Sequence, residues 1–233
     1  MDKNEFVEEL RKINIEIDDY QLRQLEQYYH LLIEWNEKVN LTRITEEKEV
    51  YLKHFYDSLT ISRSIDLTKK QSLCDIGTGA GFPGIVLKIV FPNLSIVLID
   101  ALQKRVNFLN LVIKELKLDN IVAIHERAEI YAKNNREKFD IVTSRAVANL
   151  NELLEYSIPL VKEKGFFVPM KANCEAEIEH SMIMLEKLFS KIVHIDDFSL
   201  PYNGGHRTII RILKDRKTSN KYPRNYSAIK KNK

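Results

Sequence analysis

A chain of 233 residues, 44% hydrophobic and 30% charged, is long enough for one sizeable α/β domain with an appendage and has an ordinary globular composition. Its two cysteines, Cys74 and Cys174, offer neither a disulfide framework nor metal-ligand spacing. No apolar run reaches the length of a membrane span, and the acidic, amphipathic start is no signal peptide, so a cytoplasmic chain without metal or membrane anchor is expected. The net charge of +3 conceals an asymmetry: residues 214–233 carry eight Lys and Arg against Asp215 alone, a net +7 that leaves the rest at −4.

Residues 1–66 read as a helical extension. Leu22, Leu25, Tyr29, Leu32, Trp35 and Val39 recur at spacings of three and four, one apolar stripe on a long helix behind an Asp18-Asp19 cap. Trp35 on that stripe belongs to a core before it belongs to a base-stacking surface. After the turn-like Asn40-Leu41-Thr42-Arg43, a second helical pattern runs from about Thr45 to Ser62. It places His54 and Asp57 on one face. Such a pair suits a catalytic dyad, but more readily a helix-surface pair.

Residues 67–213 alternate strand and helix. Strands are predicted at Ser72–Ile76, Ser95–Asp100, Ile121–His125, Phe139–Ser144, Gly165–Met170, about Ile192–Leu200 and Thr208–Leu213. Helices fit Pro83–Phe91, Gln103–Lys117, Ala128–Asn134, Asn151–Leu160 and Cys174–Leu188. The alternation implies a doubly wound, mostly parallel sheet. The last two strands are joined by seven residues, Pro201 to Arg207. That is too short for a crossover helix, so the sheet ends in an antiparallel hairpin. This is the architecture of class I S-adenosylmethionine (SAM) methyltransferases. From Lys214 the pattern stops, leaving a basic, flexible tail. With Tyr222 and Tyr226 interleaved, the tail suits a phosphate backbone, and its removal is expected to leave a cofactor site intact.

Four of the seven glycines lie in the stretch Asp75-Ile-Gly-Thr-Gly-Ala-Gly-Phe-Pro-Gly84, between the first strand and its helix. Glycine lets a ligand approach the backbone, and free N–H groups at the helix start suit a nucleotide. Two patterns overlap here. Gly79, Gly81 and Gly84 fit the dinucleotide motif, with Asp100 at the appropriate distance, and keep a nicotinamide-linked oxidoreductase open. Asp75, Gly77, Gly79 and Gly81 fit the methyltransferase motif, which the terminal hairpin also favours. Ligands of such sheets bind beyond the carboxyl ends of the strands. Those ends carry the glycine loop, Asp100 (placed for ribose hydroxyls), Ala128-Glu129 (placed for adenine), Ser144-Arg145-Ala146, Pro169-Met170-Lys171, and His206-Arg207 from the hairpin. No Asn/Asp-Pro-Pro-aromatic motif is present to hold an exocyclic amine, and no cysteine ends strand four or five. Guanine N7, a free lone pair that needs no base, remains as an acceptor, and positioning would supply most of the catalysis.

Trp35-Asn36…Asn40-Leu41-Thr42, His54-Phe-Tyr-Asp57-Ser-Leu59, the glycine stretch, Lys104-Arg105 and Ser144-Arg145-Ala146 together resemble the RsmG (GidB) family up to about Leu213. The resemblance implies a SAM-dependent enzyme that methylates guanine N7 in 16S ribosomal RNA or the small ribosomal subunit. It also implies cofactor contacts at Gly77 and Phe82, at Ala128 and Glu129, and at Arg145. Gly79 and Asp100 join that set from the class I pattern, and no residue is expected as a dedicated base. A non-catalytic RNA-binding protein on the same fold also fits the basic tail.

Overall fold

Asp2 and Asp18 each accept from backbone N–H groups of the turn that follows. Glu5 and Gln21 return the bond to the cap backbone, and so α1 (Lys3–Lys12) and α2 (Asp19–Val39) begin. In the computed structural model, which describes residues 1–231, α2 buries Leu25, Tyr28 and Leu32 and packs Leu22, Tyr29, Trp35 and Val39 against the same core. The expected stripe is therefore present, with Tyr28 at its centre. Asn40 closes the helix in the left-handed region at φ 49°.

The second helical pattern is not a uniform helix. An α turn, α3 (Glu47–Val50), opens into a π-helix over Tyr51–Tyr56, followed by α4 (Asp57–Leu59) and a 3₁₀ turn over Thr60–Arg63. The wide turn buries Tyr51, Leu52, His54, Phe55 and Tyr56. His54 and Asp57 are both buried, so the helix-surface reading of this pair does not hold. Periodicity located the helix, but both of its long sides are covered.

The remaining elements are β1 (Ser72–Ile76), α5 (Gly84–Val90), β2 (Ser95–Asp100), α6 (Gln103–Glu115), β3 (Ile121–His125), α7 (Ala128–Asn134), β4 (Phe139–Arg145), α8 (Leu150–Ser157) with a 3₁₀ turn over Ile158–Leu160, β5 (Val161–Lys171), α9 (Glu175–Lys187), β6 (Ser190–Ser199), β7 (His206–Lys214) and α10 (Tyr226–Lys230). One seven-stranded sheet runs in the order β3-β2-β1-β4-β5-β7-β6. The first five strands of this order are parallel, and β7 pairs antiparallel with both β5 and β6, as the short last connection required. The order reverses between β1 and β4, so the cleft for a ligand opens there.

Each face of the sheet has its own core. On one, residues of α1, α2, the π-helix, α5 and α6 form a single cluster, so residues 1–66 share the core of the sheet domain. On the other, α7, α8 and α9 pack with Tyr222 and Ile229. Those last two residues correct the expected flexible tail: residues 215–230 lie along the domain. Lys214 is fully buried, donating to the carbonyls of Val161 at 2.7 Å and Ile158 at 3.1 Å, with Glu137 at 3.3 Å. Arg136 donates to the carbonyls of Thr218, Ser219 and Tyr222. The Arg224 guanidinium grips the buried Glu155 carboxylate at 2.8 and 2.7 Å. Of the basic residues expected to suit a phosphate backbone, Arg224 and Lys230 are instead paired with Glu155 and Glu152 of α8.

Candidate active site

β1 delivers Asp75 into the interior, where Oδ2 accepts from Thr78 Oγ1 at 2.6 Å and from the Gly84 N–H at 2.9 Å. One carboxylate thus ties both ends of the glycine turn. Burial pushes its pKa up to about 6, and Oδ1 has no partner. The Gly77 and Thr78 N–H groups donate to the Ile99 carbonyl, those of Gly81 and Phe82 to Thr78, and that of Gly79 to Asp100 Oδ2 at 3.0 Å. The expected set of free N–H groups is therefore consumed by the turn itself. From α2, the buried Tyr28 hydroxyl donates to the Ala80 carbonyl. A Cβ on Gly81 would stand 2.6 Å from that hydroxyl, so the helical extension fixes the loop sterically as well.

A cavity of about 200 Å³ opens beside the loop, bordered by Gly77, Asp100, Ala128, Glu129 and Val147. It gathers four of the residues expected to hold a cofactor. Asp100 Oδ2 also meets Arg105 at 3.3 Å, while Oδ1 accepts only the Leu102 N–H among protein donors, leaving a lone pair for a ribose hydroxyl. Glu129 is buried and held by Arg127 Nε at 2.6 Å. The volume is below the roughly 300 Å³ at which small-molecule sites begin. Val147 overhangs Gly77: its Cγ2 lies 2.6 Å from where a Gly77 Cβ would stand. This side chain is exposed. At Gly79, with φ +64°, nothing lies within 4 Å of a built Cβ. The free Asp100 acceptor and the glycine surfaces are the features of this cavity that suit a nucleoside.

Phe82 and Arg145 lie outside that cavity and organise its neighbour. Phe82 is buried, with His54 stacked on its ring at 4.4 Å and 12° and the Arg145 guanidinium 5.2 Å from its centroid. Arg145 donates to Asp57 Oδ2 at 3.0 Å and to the Lys53 carbonyl at 3.1 Å, and meets His54 Nδ1 at 3.3 Å. From β7, Arg207 Nε reaches the other oxygen of Asp57 at 2.8 Å. On the far side of the ring, His54 Nε2 meets Thr42 Oγ1 at 2.9 Å, and the Thr42 N–H donates to Asn36 Oδ1 at 2.8 Å. Asn36, Thr42, His54, Asp57, Phe82 and Arg145, all from the stretches quoted for the family resemblance, thus form one chain of contacts that runs from α2 to Arg207 of β7. Because a guanidinium only donates, His54 Nδ1 accepts and Nε2 carries the proton. Burial, reinforced by Arg145, pushes the ring pKa down to about 3, so it is neutral.

This network walls a second cavity of about 460 Å³, bordered by Lys53, Arg145, Lys171 and Arg207 among others. Ala146, in the left-handed region at φ +55°, turns the β4–α8 loop sharply. Ala146 borders the second cavity, while Val147 and Ala148 border the first. The two cavities are back to back across one loop. His206, by contrast, is exposed and pairs with Asp197 at 2.8 Å. Sequence reasoning missed Tyr28 and Val147, and assigned Tyr226 and Lys230 to a phosphate-binding tail, whereas both border the first cavity. Nothing local marks any of the four, since their relevance comes from elements far away in the chain. Among the described residues no group of three or more His, Cys, Asp or Glu is arranged to hold a metal. No helix there is long and apolar enough to cross a membrane.

Solved structures share the fold. A precorrin-6y C5,15-methyltransferase from Geobacter metallireducens has a TM-score of 0.55 at 16% identity, over 76% of this chain and 91% of that one. TYW2 of M. jannaschii, solved in complex with AdoMet, has 0.57 at 16%, over 73% and 77%. Identity rises among sequence relatives. The ribosomal RNA small subunit methyltransferase G of Staphylococcus saprophyticus is 48% identical over 93% of this chain and 92% of its own length. That of Bacillus licheniformis is 47% identical over 96% and 95%. The family described as GidB, rRNA small subunit methyltransferase G, matches residues 21–199. The nicotinamide and non-catalytic readings fall away with that match: the fold is that of class I SAM-dependent methyltransferases, and the chain belongs to the GidB family of small-subunit rRNA methyltransferases.

Proposed function

We propose that this chain transfers the methyl group of SAM to N7 of a guanine in the 16S ribosomal RNA of the small subunit. The observation that carries the reading is the pair of cavities across residues 146–148, with opposite linings. The smaller has four carboxylates at its border, Asp100, Glu126, Glu129 and Glu152, against the two cations Arg127 and Lys230, an acidic balance suited to a cationic cofactor. The larger has four cations, Lys53, Arg145, Lys171 and Arg207, against Asp57 and Glu177, a basic balance suited to a polyanion. A base entering the second cavity would meet the first across a single loop.

Bound SAM supplies an electrophilic methyl carbon on a sulfonium. The chain's own residues hold and aim. Gly77 and Gly79 offer a surface without side chains, Asp100 Oδ1 would accept from a ribose hydroxyl, and Ala128-Glu129 at the start of α7 would hold the adenine. Guanine N7 and O6 are acceptors, matched by lysine and arginine donors. N7 has its lone pair at neutral pH, so no proton need leave before attack and the work is positioning. His54 does not serve as a base here, because both ring nitrogens are engaged and the ring is held by stacking. Arg145 is a positioning residue, fixing the loop between the cavities. Incubation with methyl-labelled SAM and small subunits lacking this modification should place the label in 7-methylguanosine after digestion to nucleosides. Label in any other nucleoside would overturn the proposal.

A further inference from the structure

The C-terminal segment ends on the cofactor cavity, and the sequence gives no hint of this. After β7, Asp215 is held by Lys191 at 3.1 Å and Lys164 at 3.4 Å, near the end of the sheet away from the cleft. The chain then runs over α7 and α8, pinned by Arg136, by the Arg224–Glu155 fork, and by Lys133 on Asn225 Oδ1 at 2.7 Å. Its last turn, α10, is seated by Ile229 in the core. Tyr226 and Lys230 then stand at the border of the cavity with Gly77, Asp100 and Ala128. Arg127 lies 4.0 Å over one face of the Tyr226 ring, and its Nε holds Glu129. Lys230 is bonded to the buried Glu152, which also borders the cavity.

We propose that residues 215–230 form a strap whose last turn is part of the cofactor site, with Tyr226 as an aromatic wall for the nucleoside end of the ligand and Lys230 as the counter-charge that keeps Glu152 in place. This rests on the cofactor reading above and deepens it. Two consequences follow from the geometry. Removing the ring removes apolar contact that the ligand gains only when the strap is seated. Seating of the strap and occupancy of the cavity are also linked, so each strengthens the other by the same factor. This reverses the expectation that a basic tail is independent of the cofactor.

S-adenosylhomocysteine is the probe. Calorimetry on the full chain should give Tyr226→Ala an affinity about tenfold below wild type, with Tyr226→Phe within about threefold, since the aromatic surface and not the hydroxyl is what counts. Lys230→Ala should also weaken binding. Trypsin provides an independent readout: the exposed Arg216, Lys217 and Lys221 lie in the strap, and Lys70 lies before β1. S-adenosylhomocysteine should slow cleavage in the strap more than at Lys70, and Tyr226→Ala should abolish the difference. Equal affinity of Tyr226→Ala and wild type, with no selective protection of the strap, would overturn the inference and leave the proposed function standing. A wild-type chain that does not bind S-adenosylhomocysteine at all would overturn both.

Discussion

Asp57 ties Arg145 and Arg207 together at the wall of the larger cavity, and its replacement has a calculable cost. The carboxylate is buried and lies between two guanidiniums, Arg145 at 3.0 Å and Arg207 at 2.8 Å, themselves only 13% and 19% exposed. Asp57→Ala leaves two poorly solvated cations facing each other. Removing one partner of a buried ion pair costs about 3–5 kcal/mol, a large part of a total stability of about 5–15 kcal/mol. Urea denaturation should show the midpoint falling by about 1 M or more at unchanged slope. The arginines also predict non-additivity. Arg207→Ala alone leaves the Arg145–Asp57 bond, so the double variant Asp57→Ala/Arg207→Ala should lose clearly less than the sum of the two single variants. A loss under about 1 kcal/mol for Asp57→Ala, or additive effects, would refute the claim that this carboxylate neutralises both cations.

His54 makes acid stability a second test. Its folded pKa, about 3, lies below the ordinary 6.5, so its contribution is present above pH 6.5 and is lost as pH falls towards 3. Relative to His54→Gln, the wild type should lose about 2 kcal/mol between pH 6.5 and 5, measured by urea melts at each pH. Asp75 acts in the opposite sense: its raised pKa makes its contribution fall as pH rises from 3.8 through about 6, and Asp75→Asn should remove that slope. Gly79→Ala meets open space and pays only for its positive φ, about 1–2 kcal/mol of stability. Its affinity for SAM should fall further than that, by calorimetry, if the ligand occupies the open space. Gly77→Ala meets Val147 as well, and adding Val147→Ala should recover part of its lost stability. Arg145→Ala should lower methyl transfer sharply with SAM affinity less affected, and Arg145→Lys should rescue poorly because one ammonium cannot bridge Asp57, the Lys53 carbonyl and His54 at once.

Local signals carried the sheet. The apolar run of β1 stops at Gly77, the left-handed region begins there, and the short link after β6 left no alternative to a hairpin. What the sequence withheld are contacts between distant parts of the chain. His54 and Asp57 look like a surface pair until β4 and β7 bring Arg145 and Arg207 onto them, from about 90 and 150 positions away. The basic end reads as a flexible, phosphate-seeking tail because its charges are visible in sequence and the pairing of Arg224 with Glu155 and of Lys230 with Glu152 is not. The π-helix was likewise invisible, since an apolar pattern at spacings of three and four fits an α-helix as well. The Phe82 and Arg145 positions were legible as important, but as organisers of the wall beside the cofactor cavity, not as its border.

Strand scission at the methylated position tests the central claim most directly. Small-subunit RNA carrying label from SAM would be reduced with borohydride and treated with aniline, which breaks the chain where a guanine bears a cationic N7-methyl ring. The account predicts cleavage at one guanine after treatment with the wild-type protein and strongly reduced cleavage with Arg145→Ala. RNA that carries the label yet resists scission would place the methyl group on another atom and contradict the account.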